Sequence, residues 1–182
     1  MRYNIPIMQS SKTSILIATT LGAFLTPFIG SAIVVAVPAI SQEFNMTSTA
    51  QAWIGNAYLI PSLTFLLPFG RLADIYGRKR ILTWGIVVFT LFSFLTALST
   101  NTEMFFAFRA MQGVSGSMIL GTSVALLTSA YPPQQRGRVL GINVASIYIA
   151  LSAGPVLGGM LVDNFGWKSI FIATLPFEIG SC

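Results

Sequence analysis

The chain alternates between long apolar stretches and short polar connectors. Five stretches are long enough to cross a hydrocarbon layer of about 30 Å as a helix, which takes roughly 20 residues. They cover residues 14–40, 51–70, 81–99, 104–130 and 139–162. A sixth opens near Ser169 and extends to Cys182, which is about 14 residues or 21 Å of helix. The pattern predicts an all-α integral membrane protein with five complete transmembrane helices and a truncated sixth.

The composition supports this fold class. Of the 182 residues, 54% are hydrophobic, 8% are charged and none is His, which leaves too few polar side chains to cover a soluble globule. The net charge of +5 would suit a nucleic-acid partner, but such a protein needs a broad basic face, and most of this chain has none. We therefore expect the lipid bilayer, and no nucleic acid, as a partner.

The residues also argue against several other kinds of site. Cys182 is the single cysteine, so the chain has no internal disulfide and no cysteine cluster for a metal. We find no glycine-rich phosphate loop followed by Lys and Ser, and no set of nucleophile, base and orienting group. The first apolar stretch is too long for a cleavable signal peptide and predicts a retained helix. We expect no enzyme, no cofactor and no metal site.

Basic residues concentrate in the connectors on one side of the predicted helices. They are Arg2, Lys12, Arg71, Arg78, Lys79, Arg80, Arg136 and Arg138, whereas Lys168 is the one basic residue on the other side. Short loops rich in Lys and Arg stay in the cytoplasm. This predicts a multi-pass protein of the cell membrane with a cytoplasmic tail at residues 1–13 and a transmembrane bundle over 14–182.

Two local signals have structural interpretations. Asn45 opens a glycosylation sequon in a short connector, but Thr47 or Ser48 is typical of a helix cap, and we expect the cap. Tryptophans lie near three predicted helix ends, where the amphipathic ring prefers the headgroup layer. We expect them to be membrane anchors: Trp53, Trp84 and Trp167.

The connector "GRLADIYGRKR" contains more than a topology signal. Asp74 and Arg78 are four residues apart and can pair on one face where helix 2 ends, and Gly70 would allow a neighbouring helix to approach closely. For Lys79 and Arg80 the alternative is a topology signal alone. The stretch resembles the G-x-L-A-D-x-x-G-R-K-x-x-L signature of the major facilitator superfamily through Gly70, Leu72, Ala73, Asp74, Gly77, Arg78, Lys79 and Leu82.

This resemblance implies a transporter built from two helical bundles. It also implies that the cluster formed by Gly70, Asp74, Gly77, Arg78 and Lys79 latches the two halves together. The helix that receives this latch would belong to the carboxy-terminal half, which we expect to be absent from this chain.

Predicted helix 4 carries "RAMQGVSGS", which resembles the family's R-x-x-Q-G-x-G signature. Arg109, Gln112 and Gly113 match it, and Ser115 stands where a glycine is usual. An ionisable residue inside a membrane is costly unless it faces water or a partner, so it is a functional hypothesis by default. The resemblance implies a role in coupling or substrate binding. The alternative is that Arg109 reaches the outer interface as a snorkelling side chain.

Predicted helix 5 contains "LSAGPVLGGML", which resembles the antiporter signature of the superfamily through Gly154, Pro155, Gly158 and Gly159. Gly154 and Gly158 form a small-x-x-x-small face that permits close helix contact, and a proline removes one backbone hydrogen bond. Ordinary packing without a transport role is the alternative for other small residues, including the stripe on helix 4 formed by Gly113, Ser117, Gly121 and Ala125.

Weaker resemblances to drug and proton antiporters with fourteen helices lie in "SAIVVAVPAI" and "WKSIFIATLPFEIG". Three positions depart from that subfamily: Ile29 replaces an aspartate, Val34 an asparagine and Thr174 an asparagine. Ile29 removes the carboxylate often assigned to proton coupling. Glu178, about nine residues into helix 6, is then the best carboxylate candidate for coupling, and a simply solvated position is the alternative.

The sequence therefore resembles the amino-terminal half of a proton-driven efflux antiporter for multiple drugs or small molecules. Its expected partners are a small-molecule substrate with lipophilic cations among the candidates, protons, and a missing carboxy-terminal half or another subunit. The alternatives are a truncated membrane module that does not transport, or half of an importer. The helix 5 signature argues against the importer.

Overall fold

The computed structural model describes residues 12–180, with side chains over 12–177. It contains six helices: α1 (Lys12–Glu43), α2 (Ser48–Tyr76), α3 (Arg78–Ala97), α4 (Thr102–Ala130), α5 (Pro133–Phe165) and α6 (Lys168–Gly180). By length and composition the first five can each cross a membrane, and the apolar part of α6, Lys168–Phe177, is shorter. The predicted fold class is confirmed.

The helices extend beyond the predicted apolar spans, so the connectors are shorter than expected. Gly77 alone separates α2 from α3, and α5 already begins at Pro133. The prediction that the basic residues lie in loops is therefore wrong. They lie on helices that continue past the apolar layer, because each added turn still satisfies backbone hydrogen bonds. These residues are Arg71 on α2, Arg78, Lys79 and Arg80 on α3, and Arg136 and Arg138 on α5.

The first helix begins within the segment predicted as the amino-terminal tail. Lys12 and Thr13 belong to α1. The remainder of that tail, including Arg2, lies outside the described residues, as does Cys182.

Two helix starts on the less basic side are capped by side chains. The Thr47 hydroxyl accepts a hydrogen bond from the Ala50 amide at 3.3 Å, which confirms the predicted cap of α2. The Asn101 side chain accepts from the Met104 amide at 2.8 Å at the start of α4. Each cap satisfies an amide that has no partner within its helix.

The bundle is organised around two extensive helix pairs, α1 with α5 and α2 with α4, and α3 packs along α4. Helix α6 lies against α3 and contacts α1 and α5. The core between the helices is apolar and includes Ile29, Ile33, Ile86, Phe89 and Ile119. Many large apolar side chains also face outward, which suits a protein whose surroundings are hydrocarbon.

An aromatic clasp closes the less basic end of the bundle. Trp167 is 3% exposed, and its Nε1 donates to Oε2 of Glu43 at 2.6 Å. Lys168 Nζ lies 2.8 Å from Oε1 of the same carboxylate. The Trp167 ring contacts Phe44 and Phe105 edge to face. The prediction that Trp167 is a membrane anchor is wrong, because the indole finds both its apolar contacts and its acceptor inside the bundle.

Candidate functional site

A cavity of about 560 Å³ opens between α1, α2, α4 and α5. Its volume lies within the range that small organic ligands occupy. Most of the wall is apolar, and its polar groups come from Thr26, Ser31, Tyr58, Ser62 and Arg109. A mostly apolar wall with a few fixed polar groups is typical of a small-molecule site.

Arg109 is the charged residue on this wall within residues 12–177. It lies about 10 Å along α4 from the start of that helix, and it is 1% exposed. Its Nη1 donates to Oε1 of Gln112 at 2.9 Å, and its guanidinium carbon lies 4.8 Å from the centre of the Tyr58 ring. The side chain is therefore held inside the bundle, which is inconsistent with snorkelling to the interface.

Gln112 connects Arg109 to α3. Its Nε2 donates to the hydroxyl of Ser93 at 2.7 Å, while its Oε1 accepts from Arg109. This arrangement decides the orientation of the amide, since the opposite orientation would turn an N–H group toward the guanidinium. The sequence singled out Arg109 and Gln112, but Ser93 was missed. A lone serine on a neighbouring helix has no spacing that would mark it.

Gly113 and Gly116 allow α2 to lie directly against α4 below Arg109. A Cβ atom on Gly113 would collide with the Tyr58 carbonyl oxygen, and one on Gly116 would lie 2.6 Å from the Tyr58 hydroxyl oxygen. These contacts agree with the packing interpretation of Gly113. Gly116 was missed, although it directly follows Ser115, the residue that occupies the usual glycine position. The two glycines bring the Tyr58 ring beneath the guanidinium.

The glycine face predicted on helix 5 lies against α1. A Cβ atom on Gly154 would collide with the Ser31 hydroxyl, and one on Gly158 would lie 2.7 Å from the Ala32 Cβ. The predicted close contact at Gly154 and Gly158 is confirmed. Since Ser31 also lines the cavity, this contact sets where α1 stands along the cavity wall.

The other two residues of the helix 5 signature do not form this close contact. Pro155 is exposed, and α5 continues through it as one helix. A Cβ atom on Gly159 would lie 3.6 Å from Val35, which is an ordinary van der Waals distance. A hydrogen bond also joins α1 to α5, in which the Ser31 hydroxyl donates to the Ala150 carbonyl at 3.3 Å.

The predicted pair of Asp74 and Arg78 forms at the joint between α2 and α3. Arg78 Nη2 lies 2.9 Å from Asp74 Oδ1, and Arg78 Nη1 donates to the Ala125 carbonyl of α4 at 2.8 Å. Gly77 separates the two helices with φ +101°, a conformation that side chains disfavour. Arg78 thus ties three helices together at the basic end, and Lys79 beside it is exposed.

The helix expected to approach Gly70 would belong to the second half of the transporter, so that close approach stays a prediction. A Cβ atom on Gly70 would meet nothing within 4 Å among the described residues. The close contact of α2 with α4 lies instead at Gly121, where a Cβ atom would come within 3.3 Å of the Leu66 carbonyl oxygen. The Gly70 backbone nitrogen lies near this contact, 3.7 Å from the Cβ position of Gly121, while the Cβ direction of Gly70 points into open space.

The coupling carboxylate proposed from the sequence stays a prediction. Glu178 lies on α6, but its side chain is outside the described part. Among residues 12–177, no acidic residue lines the cavity, and no group of His, Cys, Asp or Glu residues is placed to hold a metal ion.

Three relatives show which proteins this chain is similar to. It is 33% identical over 171 residues to the riboflavin transporter RibZ of Clostridioides difficile strain 630, covering 94% of this chain and 38% of that protein. It is 36% identical to the multidrug resistance protein Stp of Mycobacterium tuberculosis strain CDC 1551 / Oshkosh, covering 93% and 32%. It is 32% identical to the methylenomycin A resistance protein of Bacillus subtilis strain 168, covering 92% and 36%.

The chain therefore spans about a third of the length of the curated relatives it matches. Its fold matches the inward-open structure of the xylose transporter XylE from E. coli with a TM-score of 0.78 at 16% identity, over 94% of this chain and 47% of that one. The sequence profile of the Major Facilitator Superfamily matches residues 19–181. The chain belongs to the Major Facilitator Superfamily.

Proposed function

We propose that this chain forms one helical bundle of a small-molecule exporter that works by alternating access. The observation that carries the proposal is the cavity between α1, α2, α4 and α5, with the buried guanidinium of Arg109 on its wall. In transporters of this kind the substrate lies between two bundles that rock around it. The second bundle comes from the remainder of a longer polypeptide or from another subunit.

The names of the relatives favour export. One is a multidrug resistance protein and another confers resistance to methylenomycin A, so both names associate this family with small organic molecules that harm the cell. A third is named a riboflavin transporter, which makes transport of a metabolite, including uptake, the second candidate function.

Proton-driven antiport is the finer part of the proposal. It is supported by the resemblance of helix 5 to the antiporter signature, whose Gly154 and Gly158 pack against α1 beside the cavity. Arg109, Gln112 and Glu178 are the residues proposed to couple protons to substrate. Gly113 acts indirectly, since it seats Tyr58 under Arg109.

The latch at the basic end is proposed to dock the second bundle. Asp74 is exposed although it pairs with Arg78, and Gly70 presents an open backbone on the same helix. An exposed carboxylate beside an open glycine suits contact with a neighbouring helix. We propose that this basic end lies in the cytoplasm of a cell membrane protein, since Lys and Arg accumulate there.

The test is gradient-driven transport in liposomes. The assembly that contains this chain with its second bundle is reconstituted under an imposed pH gradient, and the 182-residue chain alone is the matched control. We expect efflux of small organic probes that follows the gradient in the assembly and is absent from the control. Lack of any gradient-driven movement by the assembly would contradict the proposed function, and transport by the single chain would contradict the need for a second bundle.

A further inference from the structure

The cavity wall has a positive charge that no acidic residue balances among the side chains of residues 12–177. Arg109 is the only charged residue of that part of the chain on the wall. The carboxylates described elsewhere lie at or near helix ends: Glu43, Asp74, Glu103 and Asp163. Two of these have their own cations, since Glu43 pairs with Lys168 and Asp74 pairs with Arg78.

The groups that surround the guanidinium are neutral. Gln112 supplies one carbonyl oxygen, and Tyr58 supplies the face of a ring. The buried Nε–H of Arg109 has no acceptor among the described residues. Hydrogen bonds and a ring face reduce the cost of burying a cation, but they leave the charge itself in place.

We infer that the ligand of this cavity is an amphiphilic organic anion. Its carboxylate or sulfonate would accept hydrogen bonds from the Arg109 guanidinium, whose planar fork of donors matches such groups. Its apolar body would lie along the wall at Leu59, Leu63 and Leu151. This inference rests on the proposed function, because it names the substrate class of the same cavity.

A lipophilic cation is the competing substrate class. In a space with mostly apolar walls it would lie near an unbalanced positive charge, where like charges repel more strongly than in water. Val34 lines the cavity, so an apolar side chain occupies a place on the wall.

The charge of the cavity is measured with a single thiol. Leu59, which is 50% exposed and lines the cavity, is changed to Cys in the 182-residue chain after Cys182→Ser, and the protein is placed in lipid nanodiscs. Its reaction rates with methanethiosulfonates carrying a sulfonate or a trimethylammonium group are compared with those of a free thiol. Thr100→Cys, in the exposed connector before α4, is the matched control.

We expect the normalised ratio of sulfonate to ammonium rates to be about fivefold or more above unity at position 59 and close to unity at position 100. Arg109→Lys keeps the charge and should keep the ratio, whereas Arg109→Gln should return it to unity. If the Gln variant does not fold, the Lys variant and the Thr100 control still show whether the charge near position 59 is positive or negative. A ratio at or below unity at position 59 would overturn the inference.

Ligand recognition is measured by protection of the same thiol. Naphthalene-1-sulfonate and a naphthalene that carries a trimethylammonium group in its place compete with the neutral reagent methyl methanethiosulfonate. We expect the sulfonate to protect at a concentration about tenfold lower than the ammonium compound. Arg109→Lys should weaken this protection, because a point charge lacks the fork of donors. Equal protection, better protection by the cation, or no protection by either would overturn the inference.

Neither measurement requires transport, so the two proposals fail separately. If the assembly moves no substrate while the thiol measurements give the expected results, the proposed transport function is wrong. The inference that the cavity prefers anions then still holds. If the assembly exports the cation ethidium under a pH gradient and the nanodisc measurements show no preference for the sulfonate, the proposed export stands. The inference of an organic anion as substrate is then wrong.

Discussion

The guanidinium carbon of Arg109 on α4 lies 4.8 Å from the centre of the Tyr58 ring on α2. This contact depends on Gly113 and Gly116, because side chains at either position would push Tyr58 away. The ring partly compensates the buried cation without neutralising it.

Arg109→Ala is expected to abolish coupled export by the complete assembly while leaving membrane insertion intact. Arg109→Lys should rescue poorly, because an ammonium group lacks the planar fork of donors, one of which meets Gln112. Arg138→Ala is the control, since it removes an exposed arginine that does not line the cavity and should retain most export. Export and the amount of inserted protein are measured together. Normal export by the Arg109→Ala variant would show that the buried charge has no role in transport.

Gly158→Val is expected to destabilise the bundle by about 1–3 kcal/mol, because its Cβ would lie 2.7 Å from that of Ala32 and must displace α1 from α5. Gly159→Val is the control on the same helix, where the nearest atom would be 3.6 Å from an added Cβ. The measurement is the midpoint of thermal unfolding in detergent. Equal shifts for the two variants would contradict the close contact of α5 with α1.

Asp74 and Arg78 are expected to differ in their effects on stability. Arg78→Ala removes both the ion pair and the hydrogen bond to the Ala125 carbonyl, whereas Asp74→Ala removes only the ion pair. The ion pair is largely exposed and contributes little, while the bond to α4 should contribute about 1 kcal/mol or more. Unfolding midpoints of the two variants, compared with that of Lys79→Ala, test this order. A larger loss for Asp74→Ala would contradict it.

The aromatic clasp should depend on the indole of Trp167. Trp167→Ala is expected to cost about 3 kcal/mol or more through lost packing, and Trp167→Phe about 1 kcal/mol through the lost hydrogen bond to Glu43. Lys168→Ala should change stability by less than about 1 kcal/mol, because its ion pair with Glu43 is partly exposed. Unfolding midpoints are the readout, and a similar loss for all three variants would argue against the buried indole.

Orientation is tested with single cysteines after Cys182→Ser. A cysteine at Thr100 should react with an impermeant thiol reagent in intact cells, whereas one at Gln134 should react only after the cells are opened. Both positions are exposed and lie at opposite ends of α4. The expectation follows from the basic residues at the Gln134 end. The reverse pattern would place that end outside the cell.

The sequence alone was sufficient for the helices and for the residues of three motifs. Apolar length predicted the spans because a membrane helix must satisfy its backbone internally across the whole hydrocarbon layer. Residue spacing predicted the pairing of Asp74 with Arg78, since residues four apart share a helix face. The same rule predicted the close contact at Gly154 and Gly158. Helix ends were less well predicted, because helices continue into the polar layer where hydropathy gives no signal.

Contacts between helices were decided only by the tertiary structure. Ser93 on α3 meets Gln112 on α4, and Gly116 on α4 meets Tyr58 on α2. Both contacts depend on how neighbouring helices are rotated and shifted along each other, which no spacing within one helix encodes. The tertiary structure also decided that the Cβ direction of Gly70 points into open space. Trp167 could be read as an anchor from its place near a helix end, but its burial depends on aromatic rings from α4 and the connector after α1. The sequence by itself determined the membrane class and the motif residues, because these depend on local composition and periodicity. The position of Arg109 on a wall without an acidic residue, among the side chains of residues 12–177, emerged only when four helices closed around it.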